Sequence, residues 1–292
     1  MKLKDVLEKT SQFFREKGFP SARLDAEILL SHGLGIERIR LYLDFDKLLS
    51  PAELERCREL VKRRTQGEPV AYIIGFKDFF NSRFKVNSDV LIPRPETEQI
   101  VEEAIEWCKK GGLSNPRIVD LGTGSGCLGL SVLKELPSAR LLAVDVSGKA
   151  LAVARENAET LGVLDRVTFL EADAGDEATL SRGMAQAGFE EMDLLLSNPP
   201  YIAKTDERVE KDVHRFEPHL ALYAEDQGLS ALKMWTSLWG KRLSRPGISM
   251  MEMGTDQGGI LKQYYSDFGF SDVQVLKDLA GHDRVIKGVW HG

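Results

Sequence analysis

From residue 117 onward, short apolar segments alternate with longer segments of helical period, and this alternation limits the fold more than any other feature. The apolar segments are, in order, RIVDLG, RLLAVDV, RVTFLEAD and MDLLLSN. Such alternation is typical of parallel strands joined by helices that cover both faces of a sheet. Three further strands are predicted in ISMMEMG and near residues 271–275 and 284–289. We therefore predict an α/β fold with a mostly parallel seven-stranded sheet.

The first part of the chain has a different pattern, in which apolar residues recur at helical spacing. SARLDAEILLSHGLG begins with the capping-type residue Ser21, and SPAELERCRELVKRR begins with Ser50 followed by proline, both typical helix starts. The next segment, VAYIIGFKDFFNSRFKV, is aromatic and β-branched with turn residues at its centre, which predicts a β-hairpin. We predict an N-terminal helical domain over residues 1–70, a β-hairpin linker over residues 71–90 and a larger domain over residues 91–292.

Composition argues against several classes of protein. The 292 residues are 42% hydrophobic and 29% charged, as in soluble globular proteins. The first segment, MKLKDVLEKTSQFFREKG, interrupts its apolar residues with charges, so it does not resemble a signal peptide, and no segment approaches a membrane span. The three cysteines are far apart and form no CxxC pair, which argues against a disulfide framework or a zinc site. We expect a cytoplasmic monomer with no metal and no membrane partner.

Charge is distributed unevenly along the chain. Residues 1–85 contain 17 basic and 13 acidic residues, a balance of +4, whereas the remainder contains 22 and 32, a balance of −10. A large domain this acidic repels a phosphate backbone, so we expect no direct contact with nucleic acid. The balance of +4 in the small module is typical of a solvated surface, although such a surface could also dock an acidic partner.

A glycine-rich loop follows the first strand of the alternating region. In VDLGTGSGCLGL, three glycines lie between this strand and a helix, where they let the backbone turn sharply and approach a ligand. The loop also contains GxGxxG from Gly124 to Gly129, a pattern shared with dinucleotide-binding folds. The residues that we predict to bind a cofactor here are Asp120, Gly122, Thr123, Gly124, Ser125 and Gly126.

Acidic residues at the strand ends distinguish between two cofactors. Asp145, where the second strand should end, can accept both ribose hydroxyls of an adenosine, which suits NAD and S-adenosylmethionine equally. Asp120, at the end of the first strand, would oppose a pyrophosphate but suits a cofactor that carries an ammonium and a sulfonium. The sequence therefore favours S-adenosylmethionine. Asp173, at the end of the third strand, could hold the adenine amino group or could instead cap a helix.

The fourth strand ends in a corner, SNPPYI, that a core strand does not need. Prolines cannot donate to a ladder, and the residue before a proline is restricted to extended conformations. The Asn198 side-chain oxygen and the Pro199 carbonyl are then two fixed acceptors for the hydrogens of an NH₂ group. Pro200 completes the corner, and Tyr201 offers a flat face for a planar amide or base. Although a bland turn is the alternative, this strand lies next to the first one, which puts the corner at the switch-point crevice.

These motifs predict methyl transfer to a planar amino group, and they resemble the blocks of one family. The chain resembles the release factor glutamine methyltransferases, which are protein-(glutamine-N5) methyltransferases. The resemblance covers nearly the whole chain, in SARLDAEILLSH, GEPVAYIIG, VLIPRPETE, DLGTGSG, SNPPYI, FEPHLAL and AGHDRV. DLGTGSG and NPPY occur in many methyltransferases, whereas IPRPETE and GEPVAYI together with NPPYI are far more specific.

The resemblance implies a Rossmann-like, class I methyltransferase domain and an N-terminal helical domain that docks the substrate protein. The implied reaction transfers a methyl group from S-adenosylmethionine to the side-chain nitrogen (N5) of the glutamine in the Gly-Gly-Gln motif of peptide chain release factors. The implied cofactor positions are Gly122 to Gly126, Asp145, Asp173, Ala174 and Asn198. Some members carry a large aromatic residue at the position of Ala174, where this chain departs from them. The implied substrate positions are Asn198, Pro199, Pro200 and Tyr201, with Asn198, Pro199 and Tyr201 as catalytic residues.

Three other functions share some of these motifs. An adenine-N6 DNA methyltransferase uses the same corner on a flipped base, but it would need a basic face and a target-recognition segment. A ribosomal-protein glutamine methyltransferase is a closely related alternative. A non-catalytic methyltransferase-like binding protein is the third, and the intact NPPY corner and glycine loop argue against it.

Several charged residues outside these motifs have two interpretations. Arg94, Glu96 and Glu98 either line the pocket or only begin a helix. Glu217 and the proline after it are predicted to shape the loop that follows the corner. The adjacent pair in AGHDRV, Asp283 and Arg284, is predicted to form an ion pair beside the last strand.

Overall fold

The computed structural model describes residues 1–208 and 210–292, and the chain divides into two compact units. The first unit contains Met1–Phe76 and Glu210–Phe216, and the second contains Lys77–Val209 and Glu217–Gly292. Among the described residues, no helix is both long enough and apolar enough to cross a membrane.

The first unit is helical. Its helices are α1 (Leu3–Glu16), α2 (Ala22–Leu34), α3 (Arg40–Leu43), α4 (Pro51–Thr65), α5 (Val70–Ile74) and α10 (Lys211–Phe216). Apolar residues at helical spacing, such as Leu3 and Leu7 of α1 and Leu29 of α2, are fully or almost fully buried and form one core. Helix α4 begins as predicted, because the Ser50 hydroxyl accepts from the Glu53 N–H and the Glu53 carboxylate accepts from the Ser50 N–H at 2.8 Å.

Two local predictions for this part of the chain need correction. Ser21 precedes α2, but its hydroxyl donates to the Asp25 carboxylate at 2.7 Å and caps no backbone N–H. The segment predicted as one hairpin begins with helix α5, and only β1 (Phe76–Phe79) and β2 (Ser82–Lys85) form the hairpin. Pro69 precedes α5 with φ −58°, and the buried Ile73 packs in the helical core, so tertiary packing overrides the β-propensity of these residues.

The second unit is built on a seven-stranded sheet with the order β10-β11-β9-β6-β3-β4-β5. Its strands are β3 (Arg117–Leu121), β4 (Arg140–Asp145), β5 (Val167–Glu171), β6 (Met192–Ser197), β9 (Leu243–Glu252), β10 (Phe270–Lys277) and β11 (Asp283–Trp290). Strands β9, β6, β3, β4 and β5 are parallel to one another, and β11 is antiparallel to both of its neighbours. The predicted α/β fold with a mostly parallel seven-stranded sheet is confirmed. Two short strands, β7 (Ile202–Ala203) and β8 (Tyr223–Ala224), pair separately.

Helices cover both faces of this sheet, as the near-continuous apolar strands require. One apolar layer contains residues of α6 (Glu98–Gly111), α7 (Cys127–Glu135) and α8 (Gly148–Thr160). The other contains residues of α9 (Glu177–Ala187), α11 (Ser230–Trp239) and α12 (Gly258–Phe268). Successive strand residues alternate between the layers, so that Ile118 belongs to the first and Val119 to the second. Both faces of each central strand are therefore buried.

The topology positions the candidate site. Strand β3 pairs in parallel with β4 on one side and with β6 on the other, so the order of the strands reverses at β3. In open α/β sheets, ligands bind outside the carboxyl ends of the strands at such a switch point. The glycine loop follows β3 and the SNPPYI corner follows β6, so the two predicted motifs lie at one edge of the sheet.

At the opposite ends of these strands, where the strands begin, a half-buried ion pair connects the sheet. Asp193, at the start of β6, accepts hydrogen bonds from the backbone N–H and the guanidinium of Arg117 on β3, at 2.8 to 3.0 Å. It also accepts from the Ser244 hydroxyl on β9 at 2.9 Å. Burial opposes ionisation, but these hydrogen bonds outweigh it and lower the pKa of Asp193. One carboxylate therefore connects the starts of three strands.

We expect Asp193→Ala to lower the free energy of unfolding by about 3 kcal/mol, because it leaves the Arg117 charge without its partner. The matched control is Asp78→Ala, which removes the partner of Arg83 in an ion pair exposed on both sides. This control should cost less than about 1 kcal/mol. Urea denaturation of both variants checks the expectation, and equal losses would contradict it.

Candidate active site

A cleft opens at the carboxyl ends of β3, β4 and β6, within the second unit. Its empty volume, including the open mouth, is about 1110 Å³. Most of the predicted site residues lie on its walls: Asp120, Gly122, Thr123, Gly124, Ser125, Asp145, Asp173, Ala174, Asn198 and Pro200. Gly126, Pro199 and Tyr201 are adjacent in sequence to lining residues but are not on the walls themselves. The structure therefore brings together residues from four strand ends, those of β3, β4, β5 and β6.

The glycine loop forms the wall of the cleft next to β3 and β4. Its backbone is fixed to the neighbouring strand, because the Thr123 N–H donates to the Val144 carbonyl at 3.0 Å. Gly122 has φ +66°, and a Cβ atom there would lie 3.3 Å from the ring of Trp235. Gly126 has φ +80° immediately before α7, where a Cβ atom would lie 2.6 Å from Leu130. Glycine is required at both positions by conformation and by space.

Asp120 lies at the base of the cleft and is 1% exposed. One of its oxygens accepts from the Thr123 hydroxyl at 2.7 Å and from the Gly129 N–H at 3.1 Å. Burial raises the pKa of Asp120 to about 7, because these two hydrogen bonds offset only part of the lost hydration and Asp145 adds a like charge. A positive ligand group beside Asp120 would favour its ionised form, and an anion would be repelled by it.

Asp145 ends β4 with its carboxylate in a fixed orientation. One oxygen accepts from the Gly124 N–H and the other from the Ser147 N–H, both at 2.9 Å. Burial raises the pKa of Asp145, and the backbone hydrogen bonds oppose this shift. Each carboxylate oxygen retains a second lone pair, so the side chain can still accept ligand hydroxyls.

Asp173 and Ala174 lie on the cleft wall after β5. Asp173 is exposed and accepts from the Gly175 N–H at 2.8 Å. The alternative that Asp173 caps a helix is wrong, since α9 is capped by Asp176, which accepts from the Ala178 N–H at 3.0 Å. Ala174 is buried, and its carbonyl accepts from the indole N–H of Trp239.

Trp235 is a cleft residue that the sequence analysis missed. Its ring lines the same pocket and lies against Gly122. Among the described residues, its indole N–H has no hydrogen-bond partner. The sequence contained only a weak indication, a tryptophan at helical spacing in GLSALKMWTSLW, which equally describes a core residue.

The corner after β6 is connected to a buried carboxylate on β9. The Asn198 side-chain N–H donates to the Thr97 hydroxyl at 3.1 Å, and that hydroxyl donates to one oxygen of Glu252. The Tyr201 hydroxyl donates to the other oxygen of Glu252 at 3.0 Å. Thr97 and Glu252 are each 1% exposed. Sequence reasoning missed both, although an acid inside the apolar segment ISMMEMG is an indication that could have drawn attention to Glu252.

The surroundings of this buried carboxylate shift the pKa values of Glu252 and Tyr201. Burial raises the pKa of Glu252, against the hydrogen bonds from Thr97 and Tyr201 and the charge of Arg284, which favour ionisation. Burial and the neighbouring Glu252 raise the pKa of Tyr201, so its phenol stays protonated at neutral pH.

Comparisons with known proteins bear on what this site does. Residues 5–75 match the PrmC N-terminal domain, and residues 105–216 match the methyltransferase small domain. The chain is 41% identical over 284 residues to the release factor glutamine methyltransferase of Chlorobaculum tepidum, covering 96% of this chain and 94% of that protein. It is 39% identical over 286 residues to the same enzyme of Rhodopirellula baltica, covering 96% and 94%.

The chain belongs to the release factor glutamine methyltransferase family.

The resemblance found in the sequence is thereby confirmed. Among solved structures, the chain is similar in fold to the hMettl16 catalytic domain in complex with an RNA hairpin. The TM-score is 0.52 with 16% identity, and the match covers 82% of this chain and 81% of that one. At this identity the likeness supports the methyltransferase fold alone.

Arg94 lies at the rim of the cleft. Arg94 donates to Glu217 at 2.7 Å, and the other Glu217 oxygen accepts from the Ile92 N–H at 3.0 Å. Arg94 lines the cleft, whereas Glu96 and Glu98 are not on its walls; the Glu98 carboxylate accepts from the Phe80 N–H instead. Glu217 is 3% exposed and connects two segments of the rim.

The predicted ion pair between Asp283 and Arg284 is wrong. Arg284 pairs with Asp278 at 3.1 Å, and Asp283 pairs with Lys277 at 2.6 Å. Adjacent residues on strand β11 point to opposite faces, so their side chains cannot meet.

We expect the stability of the protein to depend on the titration of Asp120. Its pKa is about 3.9 in an unfolded chain and about 7 in the folded one, so between these values the unfolded state binds fewer protons. The contribution of Asp120 to the free energy of unfolding therefore falls as pH rises from about 4 to about 7. Asp120→Asn cannot titrate at this position, so it does not lose this stability. Its free energy of unfolding minus that of the unsubstituted protein should therefore increase by on the order of 2 kcal/mol between pH 5 and pH 8.

Urea denaturation of both proteins at the two pH values measures this difference, and the contributions of titratable groups that do not interact with Asp120 cancel in the comparison. A stability difference that is the same at both pH values would contradict the raised pKa of Asp120.

Proposed function

We propose that the protein transfers a methyl group from S-adenosylmethionine to the side-chain nitrogen (N5) of the glutamine in the Gly-Gly-Gln motif of peptide chain release factors. The observation that carries the proposal is that one cleft contains both a buried carboxyl group, Asp120, and the Asn198 amide at the SNPPYI corner. The names of the full-length relatives support the same reaction and substrate.

The polar groups that line the cleft fit this cofactor better than they fit NAD. Asp120 favours the ammonium and sulfonium charges of S-adenosylmethionine and would repel a pyrophosphate. Asp145 has a free lone pair on each oxygen for the two ribose hydroxyls. We propose these residues for cofactor binding: Asp120, Gly122, Thr123, Gly124, Ser125, Gly126, Asp145, Asp173, Ala174 and Asn198. When bound, S-adenosylmethionine supplies an electrophilic methyl group on a positive sulfur.

The protein's contribution to the reaction is orientation. The nitrogen of an amide is a poor nucleophile, because its lone pair is delocalised into the carbonyl. The Asn198 side-chain oxygen and the Pro199 carbonyl accept the two hydrogens of the glutamine NH₂ group, while Pro200 and Tyr201 bound the corner. A near-attack geometry of this kind lowers a barrier by roughly 7–11 kcal/mol.

Proton transfer within the corner does not involve Tyr201 as a base. Burial raises the pKa of its phenol, and the phenol already donates to Glu252. The methyl group leaves the sulfonium for the glutamine nitrogen, and the methylated nitrogen then gives up one proton to solvent water. Asn198 and Pro199, as acceptors of its N–H bonds, stabilise the positive charge that develops there before this proton leaves.

Charge and domain organisation point to a protein substrate. The chain after residue 85 has a balance of −10, which repels duplex DNA and argues against adenine methylation. A glutamine on a flexible glycine-containing loop can enter the narrow corner without a nucleic-acid clamp. We propose that the helical domain of residues 1–70 docks a remote face of the release factor, and that residues 91–292 carry out the reaction in the cytoplasm.

With labelled S-adenosylmethionine, intact release factor should become methylated on the side-chain nitrogen of that glutamine. A release factor with alanine in place of the glutamine should stay unlabelled, as should duplex DNA. A short Gly-Gly-Gln peptide should react at least about tenfold more slowly, because it lacks the remote contacts. Mass spectrometry of the digested substrate locates the methyl group.

Other outcomes of this experiment would overturn parts of the proposal. Label on adenine would favour DNA methylation, and preferential label on a ribosomal protein would favour the related glutamine methyltransferase. Equal rates for the peptide and the intact release factor would remove the docking role of residues 1–70.

Asn198→Ala should reduce kcat for release factor methylation by about a hundredfold while changing cofactor affinity by only a few-fold, because the acceptor that orients the glutamine is lost. Asn81→Ala, at the exposed turn between β1 and β2, is the matched control and should have no effect. Single-turnover kinetics and calorimetry make the two measurements. If cofactor affinity collapses while turnover is nearly unchanged, Asn198 serves the cofactor alone and its role in orienting the glutamine is wrong.

A further inference from the structure

The hydrogen bonds around Glu252 determine which way the Asn198 amide faces. An ionised carboxylate can only accept, so the hydroxyls of Thr97 and Tyr201 must each donate their single hydrogen to it. Thr97 then has no hydrogen left for Asn198. The contact of 3.1 Å between Asn198 and Thr97 therefore requires an amide N–H as the donor.

Because the NH₂ group of Asn198 faces Thr97, the Asn198 carbonyl oxygen lies on the side away from Thr97. No described residue donates a hydrogen bond to that oxygen, and Asn198 lines the cleft. An amide that faced the opposite way would offer NH₂ hydrogens, which repel the hydrogens of an incoming NH₂ group. The orientation of the amide thus decides whether the corner accepts an NH₂ group at all.

From these contacts we infer that Glu252 is a positioning residue for the proposed amide methylation, acting through Thr97 to present the Asn198 carbonyl oxygen to the cleft and holding Tyr201 in place beside it. This inference rests on the proposed function and adds two residues to it: Thr97, which lines the cleft, and Glu252, which does not. The register of the sheet places Glu252 near Asn198. Ser197 of β6 pairs with Met251 of β9, and the residues that follow them are Asn198 and Glu252.

The same arrangement depends on the charge of Glu252. Protonation would place a hydrogen on one carboxylate oxygen and reverse one of the two hydrogen bonds. Burial is the largest effect and favours the protonated form, as does Glu96, whereas the two hydroxyl donors and Arg284 favour the ionised form that this arrangement requires. The titratable groups that act electrostatically on the carboxylate include Tyr201, Arg284, Glu96 and the half-buried thiol of Cys127.

Glu252→Gln tests the inference with almost no change in shape. A glutamine side chain has one acceptor oxygen and one NH₂ group that can only donate, so either Thr97 or Tyr201 loses its acceptor. If Thr97 receives the new N–H, its own hydrogen is free to donate to Asn198, which turns the amide. We expect kcat for release factor methylation to fall by about thirtyfold or more, with the KM and the dissociation constant of S-adenosylmethionine within about threefold.

Substitutions at Thr97 test the same connection independently. Thr97→Val keeps the shape but removes both hydrogen bonds, and it should lower kcat about as much as Glu252→Gln. Thr97→Ser keeps the hydroxyl and should restore most of the activity. Because the two residues act through one chain of hydrogen bonds, the double variant Glu252→Gln/Thr97→Val should be no slower than the slower single variant.

Asp193→Asn is the control for the loss of a buried carboxylate. It changes another hydrogen-bonded carboxylate of the same sheet, at the far end of β6, and should lower stability without changing kcat of the folded protein. Circular dichroism at the assay temperature establishes that every variant is folded.

The possible results separate the inference from the proposed function. If the unsubstituted protein fails to methylate the release factor, the proposed function is wrong. If it succeeds and Glu252→Gln keeps its full kcat, the positioning role alone is wrong. Loss of kcat with an equal loss of cofactor affinity, or additive effects in the double variant, would show a structural role for Glu252 and overturn the inference.

Discussion

The parallel pairing of β3 with both β4 and β6 is the constraint on which the candidate site depends. Because β3 has a parallel partner on each side, the carboxyl ends of three strands meet at one edge of the sheet. Each strand end brings one polar side chain to the cleft: Asp120, Asp145 and Asn198. A shift of one residue in either register would turn these side chains to the opposite face, so the apolar alternation of the strands also fixes the chemistry of the cleft.

The buried carboxyl groups of the second unit are stabilised in different ways, and the differences match their positions. Asp193 has a guanidinium partner, which lowers its pKa, at the edge of the sheet away from the cleft. Glu252 has two hydroxyl donors and the nearby charge of Arg284. Among the described residues, Asp120 has one hydroxyl and one backbone donor and no neighbouring cation, so its charge is the least compensated of these three. Carboxyl groups with strongly shifted pKa values are often found at functional sites, where a ligand can supply the missing interactions. Asp120 lies at such a position, on the wall of the cleft.

Much of this architecture was predictable from the sequence, because local patterns determine it. Apolar runs that end in glycine, acid or asparagine predicted the central strands and put Asp120 and Asn198 at their ends. Residues 70–74 were predicted incorrectly, because packing in the helical core outweighed their β-propensity. The contacts of Thr97 and Glu252 with the corner were not predictable, because they join residues far apart in sequence. Glu252 meets the corner through the pairing of β9 beside β6, and Thr97 meets it from the turn before α6, which no local pattern reveals.

The raised pKa of Asp120 also makes ligand binding at the cleft an exchange of protons with the solvent. Near neutral pH the carboxyl group is partly protonated, because its pKa is about 7. A cation that binds beside it favours the ionised form, so binding must release a fraction of a proton. The heat of binding then includes the ionisation of the buffer, and the apparent affinity of a cationic ligand rises with pH until Asp120 is fully ionised.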